Sequence, residues 1–351
     1  MQYFFGNKDI KILQELAKRS FQGRLNGIIL ITTEKQIELS SVYDYDSIKA
    51  IETEHGEEAP ILIKNLKNAF TQKDKNQNII SPTVIHFAGV AKSGTVDTNK
   101  IEEILENKTV SIYGVSMLET TQELLKWAAA YPKNMIFYFN TKTKITIEEG
   151  GTSNKTRLFL DKKDEGIHTM ELVKLLWNET FDGVKFMELV GATPDNLTDG
   201  EVEDLDKAGI ATYRLVNGEG EITNSLTTNG KTHIDTTYVI DTIKYLLASN
   251  LHKMFKENVV NSSSVTGLVN IYSRKALDFA FNDLKLIEKD QNNTPKYTIF
   301  IPEISGNIRD IRGLKGVKWK FIPNVPIEQI NGTVVEVLNE IELTADDLGG
   351  I

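Results

Sequence analysis

From Asn26 onward the apolar and polar positions change repeatedly between two periods. "NGIILITT" (Asn26 to Thr33) and "PTVIHFAGV" (Pro82 to Val90) are nearly continuous apolar runs, the pattern of strands buried on both faces. Between them, Asp46 to Glu54 and Pro60 to Phe70 place apolar residues at helical spacing. The alternation continues with a helix near Asn99 to Glu106, the strand "TVSIYGV", the helix "ETTQELLKWAAAY" and the strand "NMIFYFN". Strands separated by helices predict a small, mostly parallel sheet covered by helices.

"KITIEEGGTSNKTRLFLD" (Lys144 to Asp161) reads as a hairpin turning at Gly150-Gly151 and Ser153-Asn154, and it marks the end of a first domain spanning residues 26–165. A second domain, residues 166–331, opens with the helix "TMELVKLLW". Its next helix starts at a Thr198-x-x-Glu201 capping box and stops at Gly209, a residue suited to the left-handed C-terminal position. "IATYRLVNGEGEIT" then reads as a hairpin on Asn217-Gly218. A turn at Asn229-Gly230 follows, with Asp235 as the cap of a long helix whose stripe is Val239, Ile240, Ile243, Leu246, Leu247, Leu251, Met254 and Phe255. Another helix runs from Ser263 or Ser264 to Asn282, and "KYTIFIPEI" and "VKWKFIPNVPI" alternate as strands. Asn331-Gly332 turns the chain into a β-branched segment, so residues 1–25 and 332–351 remain as terminal arms. The class is mixed α/β (α+β).

With 351 residues the chain is long enough for two domains at roughly 100–200 residues each. Hydrophobic residues make up 40% and charged residues 25%, with no run approaching the ~18 apolar residues of a membrane span, which predicts a soluble protein without membrane insertion. Lys8 and Lys11 interrupt the apolar start, so no signal peptide is expected. The absence of cysteine removes disulfides, thiolate metal sites and cysteine nucleophiles together. A net charge of -9 without a basic stripe argues against nucleic acid as a partner and for proteins.

Candidate chemistry is sparse. Gly230, Lys231 and Thr232 imitate the end of a phosphate-binding loop, but the glycine that such a loop needs earlier is Ser225, and residues intervene before the helix. The glycine fingerprint of a dinucleotide site is missing from the first strand-to-helix turn, and "GVAKSGT" has its two glycines in the wrong register. The five histidines, at positions 55, 86, 168, 233 and 252, show no helical metal-ligand spacing, and His86 reads as a core residue. Carboxylate pairs such as Glu102-Glu103, Glu148-Glu149 and Asp346-Asp347 lie in polar stretches, and no serine occupies a nucleophile elbow. No cofactor, metal or catalytic residue is expected. A nucleotide-dependent enzyme therefore rests on the sheet pattern alone.

"LDKAGIATYRL" (Leu205 to Leu215), "GKTHIDTTYVIDTIKYLLASNLHKMF" and the final "GTVVEV" (Gly332 to Val337), in that order, resemble the tail sheath proteins of contractile bacteriophages and related phage-tail-like injection systems. The resemblance covers about residues 170–340, and residues 26–165 take the place where sheath proteins commonly carry variable outer domains. Gly230, Ile234 and Asp235 look like the family's turn-to-helix junction, which favours a turn over a phosphate loop, and Gly209 is the matching structural position where a helix ends and runs into a strand. Many sheath proteins carry arginines there; "HID" and "TTY" have none, which implies a shorter or divergent branch.

The resemblance implies a structural subunit that forms a helical homo-oligomer around a tail tube protein and meets baseplate and tail terminator proteins; another phage tube or baseplate structural protein is the further alternative. Such a subunit is assembled in the bacterial cytoplasm and ends in a virion tail or tail-like particle. Both chain ends are apolar and strand-prone, and an uncovered terminal strand invites pairing with another chain. Tyr3, Phe4 and Phe5 at one end, and Val334, Val335, Val337, Leu338 and Ile341 at the other, are accordingly expected in arms that complete a neighbour's sheet.

Overall fold

A computed structural model of the chain describes residues 25–91, 95–107, 109–178, 183–185, 187–257, 265–302, 317–325, 341–344 and 347. The arm residues Tyr3, Phe4, Phe5, Val334, Val335, Val337 and Leu338 lie outside them. The chain divides into two compact units, one of Asn26–Thr237 and one of Tyr238–Ile351 together with Met1–Leu25.

The Asn26–Thr237 unit is built on one eight-stranded sheet. Its strands are β1 (Ile28–Thr32), β2 (Ile37–Val42), β3 (Ile85–Gly89), β4 (Gly114–Met117), β5 (Ile136–Thr141), β6 (Thr156–Leu160), β7 (Ile210–Val216) and β8 (Glu219–Ile222), in spatial order β2-β3-β1-β4-β5-β6-β7-β8. The six inner strands are parallel, and β2 and β8 close the two edges antiparallel. β1, β3, β4 and β6 are buried at every residue, as expected of parallel strands covered on both faces.

Helices α1 (Ile48–His55), α2 (Pro60–Ala69), α3 (Thr98–Leu105), α4 (Gln122–Ala130), α5 (Ile167–Trp177) and α6 (Asp199–Lys207) accompany this sheet, with α1 packed on α2. One face gathers Ile29, Ile31, Val115, Phe137, Phe139 and Leu158 against Ile101 and Leu105 of α3, Leu124, Leu125 and Ala128 of α4 and Leu205 of α6. α2 and α5 pack against each other and against strands of the same sheet. α5 is buried along its whole length, so its sequence shows little amphipathic contrast.

Several local expectations hold. Thr198 Oγ1 accepts from Glu201 N while Glu201 Oε2 accepts from Thr198 N at 2.8 Å, the reciprocal capping box. β7 and β8 form the antiparallel hairpin, with Asn217 (φ 51°) and Gly218 (φ 94°) as its two-residue turn. His86 is buried and its Nδ1 lies 2.8 Å from Ser41 Oγ on the neighbouring strand.

Other expectations are corrected. Lys144 to Asp161 is not a hairpin: β6 pairs parallel with β5, and the chain before Gly150 runs over α4, where Gln122 Nε2 donates to Thr146 O at 2.8 Å and Glu148 N to Gln122 Oε1 at 3.1 Å. The boundary near residue 165 falls inside one compact unit, because β6 pairs with β7 and α5 packs on β4, β5 and β6. β2 was not foreseen. Ile37 and Val42 are buried at its two ends, Glu38 and Ser40 are exposed between them, and a register shift between Ile37 and Ser40 breaks the period-two pattern, as edge strands often do.

The second unit carries most of α7 (Ile234–Glu257), then α8 (Val265–Asn282) and a three-stranded antiparallel sheet of β9 (Tyr297–Phe300), β10 (Lys318–Phe321) and β11 (Ile341–Thr344), ordered β11-β10-β9. Trp319, Phe321 and Leu343 are buried, and Trp319 Nε1 donates to Ser273 Oγ of α8 at 2.8 Å. Tyr297 OH donates to Asp278 Oδ1 at 2.6 Å.

Candidate assembly site

The segment from Asn224 to Asp235, which leads from β8 into α7, is held by backbone and side-chain bonds along its length. Leu226 and His233 form an antiparallel bridge, Ile234 N donates to Ser225 O at 2.8 Å, and Ser225 Oγ lies 2.6 Å from His233 Nδ1. Asn229 ties the intervening turn: its Oδ1 accepts from Lys231 N at 2.9 Å, Thr232 N at 2.9 Å, Thr232 Oγ1 at 3.0 Å and Thr227 Oγ1 at 3.0 Å. Gly230 takes φ 65°, so the Gly230-Lys231-Thr232 stretch is a turn closed by an asparagine cap, with Lys231 exposed to solvent.

Gly209 and Gly230 both adopt left-handed backbone, as a helix stop and a tight turn require. They differ in surroundings. A Cβ on Gly209 would lie 2.9 Å from Thr228 O and 3.0 Å from Thr227 O, whereas at Gly230 the nearest atom is Lys207 O at 3.9 Å. Gly209 thus lets the end of α6 close against the junction segment. Asp235 is corrected as a cap: α7 already starts at Ile234, and Thr237 N donates to His233 O at 3.1 Å, which makes His233 the first acceptor. Asp235 sits in the first turn, where a carboxylate suits the helix dipole.

What fastens this segment to the sheet is a buried arginine that sequence patterns did not single out. Arg157 of β6 and Glu171 of α5 have no exposed side-chain surface, and Arg157 Nε and Nη2 donate to the two Glu171 oxygens at 2.6 and 2.7 Å. The remaining donors reach the junction: Nη1 to Leu226 O at 2.6 Å and Asn224 Oδ1 at 3.3 Å, and Nη2 to Asn224 O at 2.6 Å. All five guanidinium hydrogens are therefore used. Its Cζ lies 4.7 Å from the centroid of the Phe159 ring. Burial, with Glu171 close by, drives the Tyr138 phenol well above its ordinary pKa. Thr228 N donates to Thr156 O at 2.8 Å and Ser153 N to Thr228 Oγ1 at 3.0 Å, so the turn is also tied to the start of β6.

The parallel strands are ordered β3-β1-β4, which makes the β1/β4 boundary the switch point where open α/β sheets usually bind ligands. Here the chain beyond β1 is tied to the chain beyond β4 and to the start of α2. Glu34 accepts from Ile61 N and Leu62 N at the start of α2, 3.2 Å each, and from Thr32 Oγ1 at 3.0 Å, while Thr33 hydrogen-bonds Glu119. A carboxylate already occupies the helix terminus that a phosphate would use. Among the described residues no group of three or more His, Asp or Glu is placed to hold a metal ion, and no helix is long and apolar enough to cross a membrane.

Of the expected arm residues, Ile341 is described, and it lies opposite Phe321 on β10 of its own chain. Among the described residues, β9 and β11 form the edges of that sheet.

No protein-family model matches the sequence, and no curated protein does either. Solved structures do. The helical sheath of the anti-feeding prophage in its contracted state aligns at a TM-score of 0.64 and 9% identity over 89% of this chain and 93% of that one. The sheath of the extracellular contractile injection system PVC, also contracted, aligns at 0.65 and 11% identity over 91% and 92%. The crystal structure of a sheath tail protein from Desulfitobacterium hafniense aligns at 0.57 and 8% identity over 92% and 96%. At about nine-tenths of the chain, the likeness extends beyond the residues 170–340 that carried the sequence resemblance. The chain has the fold of contractile tail sheath subunits.

Proposed function

We propose that this chain is a structural subunit of a contractile sheath, polymerising helically around a tail tube and contracting to drive that tube through a target envelope. The observation that carries the reading is the sheath fold matched over about nine-tenths of both chains. The partners are further copies of this chain, a tube protein, and baseplate and terminator proteins. Assembly takes place in the bacterial cytoplasm, and the product is a virion tail or tail-like particle.

The work of such a protein is mechanical and needs no catalytic residue. Contacts that repeat with a rise and a twist give an open helical filament, and a packing with more buried contact supplies the drive when one end is released. In this reading the C-terminal segment exchanges between copies, so that β11 makes its pairing with β10 of a neighbour. Val334, Val335, Val337 and Leu338 then belong to the connecting arm, and Tyr3, Phe4 and Phe5 to a second arm. Glu34 at the β1/β4 switch point weighs against the nucleotide-enzyme alternative.

Electron microscopy of the purified protein tests the proposal. Hollow helical tubes support it; a monomer that never polymerises and binds ATP saturably contradicts it.

A further inference from the structure

We infer that Asn217 is a site of spontaneous deamidation, selected by the fold from among the Asn-Gly steps of the chain. The sequence holds four such steps, at Asn26, Asn217, Asn229 and Asn331, and the last lies outside the described residues. Asn-Gly is the most reactive context because glycine leaves the following nitrogen unhindered.

The reaction needs only water. The main-chain nitrogen of Gly218 attacks Cγ of Asn217, a C–N bond forms, and ammonia leaves with the nitrogen's proton. Water then opens the five-membered imide at either carbonyl. One opening yields aspartate; the other yields isoaspartate, in which the main chain runs through the side-chain carbon.

The three described steps differ in freedom to reach that geometry. Asn26 is buried, and the following glycine is wedged where a Cβ would meet Ser111 O at 1.8 Å, with Gly27 O accepting from Tyr113 N and Gly114 N at 2.9 Å each. Asn229 is held through its side-chain oxygen by the four donors of the junction turn. Asn217 is exposed at the tip of the β7–β8 hairpin, and nothing lies within 4 Å of where a Cβ on Gly218 would be. Opening this tip disturbs only the end of one edge hairpin, and such local openings are the least costly in a fold.

The product alters the hairpin. A two-residue turn sets the Val216↔Glu219 register, and isoaspartate adds a main-chain atom inside it. Either product adds a negative charge beside Glu219 and Glu221.

The test is to hold the folded, full-length protein in mildly alkaline buffer beside the same chain in denaturant, and to map peptides by mass spectrometry with isoaspartate-specific labelling. In the folded protein Asn217 is expected to convert on the order of tenfold or more faster than Asn229, whose exposure requires breaking several hydrogen bonds. In denaturant the two sites should converge. Equal conversion of the two sites in the folded protein would overturn the inference, as would an Asn217 that stays amidated while the denatured chain converts. Neither outcome bears on the sheath reading.

Discussion

Arg157 and Glu171 face each other across the interior as a bidentate ion pair with no exposed side-chain surface, and the same arginine grips the Asn224–Leu226 backbone from below the junction turn. A charge pair in that position holds two secondary elements and a loop in one register, and its cost appears when one member is removed. Glu171→Ala leaves a buried guanidinium without its counter-charge and should destabilise the protein by about 3–5 kcal/mol. Replacing both members by apolar residues of similar volume should cost much less. Chemical denaturation of the two variants checks the difference, and equal losses would mean that the pair is not acting as a pair.

The two left-handed glycines should separate in the same assay. Gly230→Ala meets only the left-handed backbone penalty of roughly 1–2 kcal/mol, since its surroundings are open. Gly209→Ala meets that penalty and also a Cβ at 2.9 Å from Thr228 O, so it should cost more and loosen the junction segment. A smaller loss at Gly209 than at Gly230 would contradict the close approach of α6.

Much of this arrangement was legible locally. The Thr198 box, the Gly209 stop and the Asn217-Gly218 hairpin each carry their signal within four residues, and each stands where expected. Long-range ties are another matter. Arg157 and Glu171 are fourteen residues apart in strand and helix, a separation with no periodic signature. Gly150-Gly151 suggested a domain end because turn chemistry does not say what the next strand pairs with; β6 joins the sheet between β5 and β7. The junction's lack of a local arginine was visible, whereas the supply of one from β6 was not.

His168 gives the fold a pH dependence. It is buried at the start of α5, and desolvation lowers its pKa to about 4, against the opposing influence of Asp161, Asp164 and a backbone bond with Met117. The unfolded chain takes up the proton near 6.5, the folded chain only near 4, so the unfolded state binds more protons in between. Stability should therefore be fully present above about pH 6.5 and fall by about 3 kcal/mol as the pH drops to about 4. His168→Leu should flatten this slope. An unchanged slope in denaturation curves across that range would assign it to other groups.

Lys231 lies on the exposed side of an asparagine-capped turn and touches no built phosphate site. Lys231→Ala should leave stability and any assembly unchanged, and calorimetry should find no ATP binding in either form. Micromolar binding lost in the variant would restore the phosphate-loop reading.

The central claim is tested most directly by electron microscopy of the full-length protein beside a chain ending at residue 332. The full chain should form hollow helical tubes of uniform width. The shortened chain, without β11 and the segment before it, should stay a folded monomer. A full-length protein that remains monodisperse under all assembly conditions, or a shortened chain that still forms the same tubes, would contradict the account.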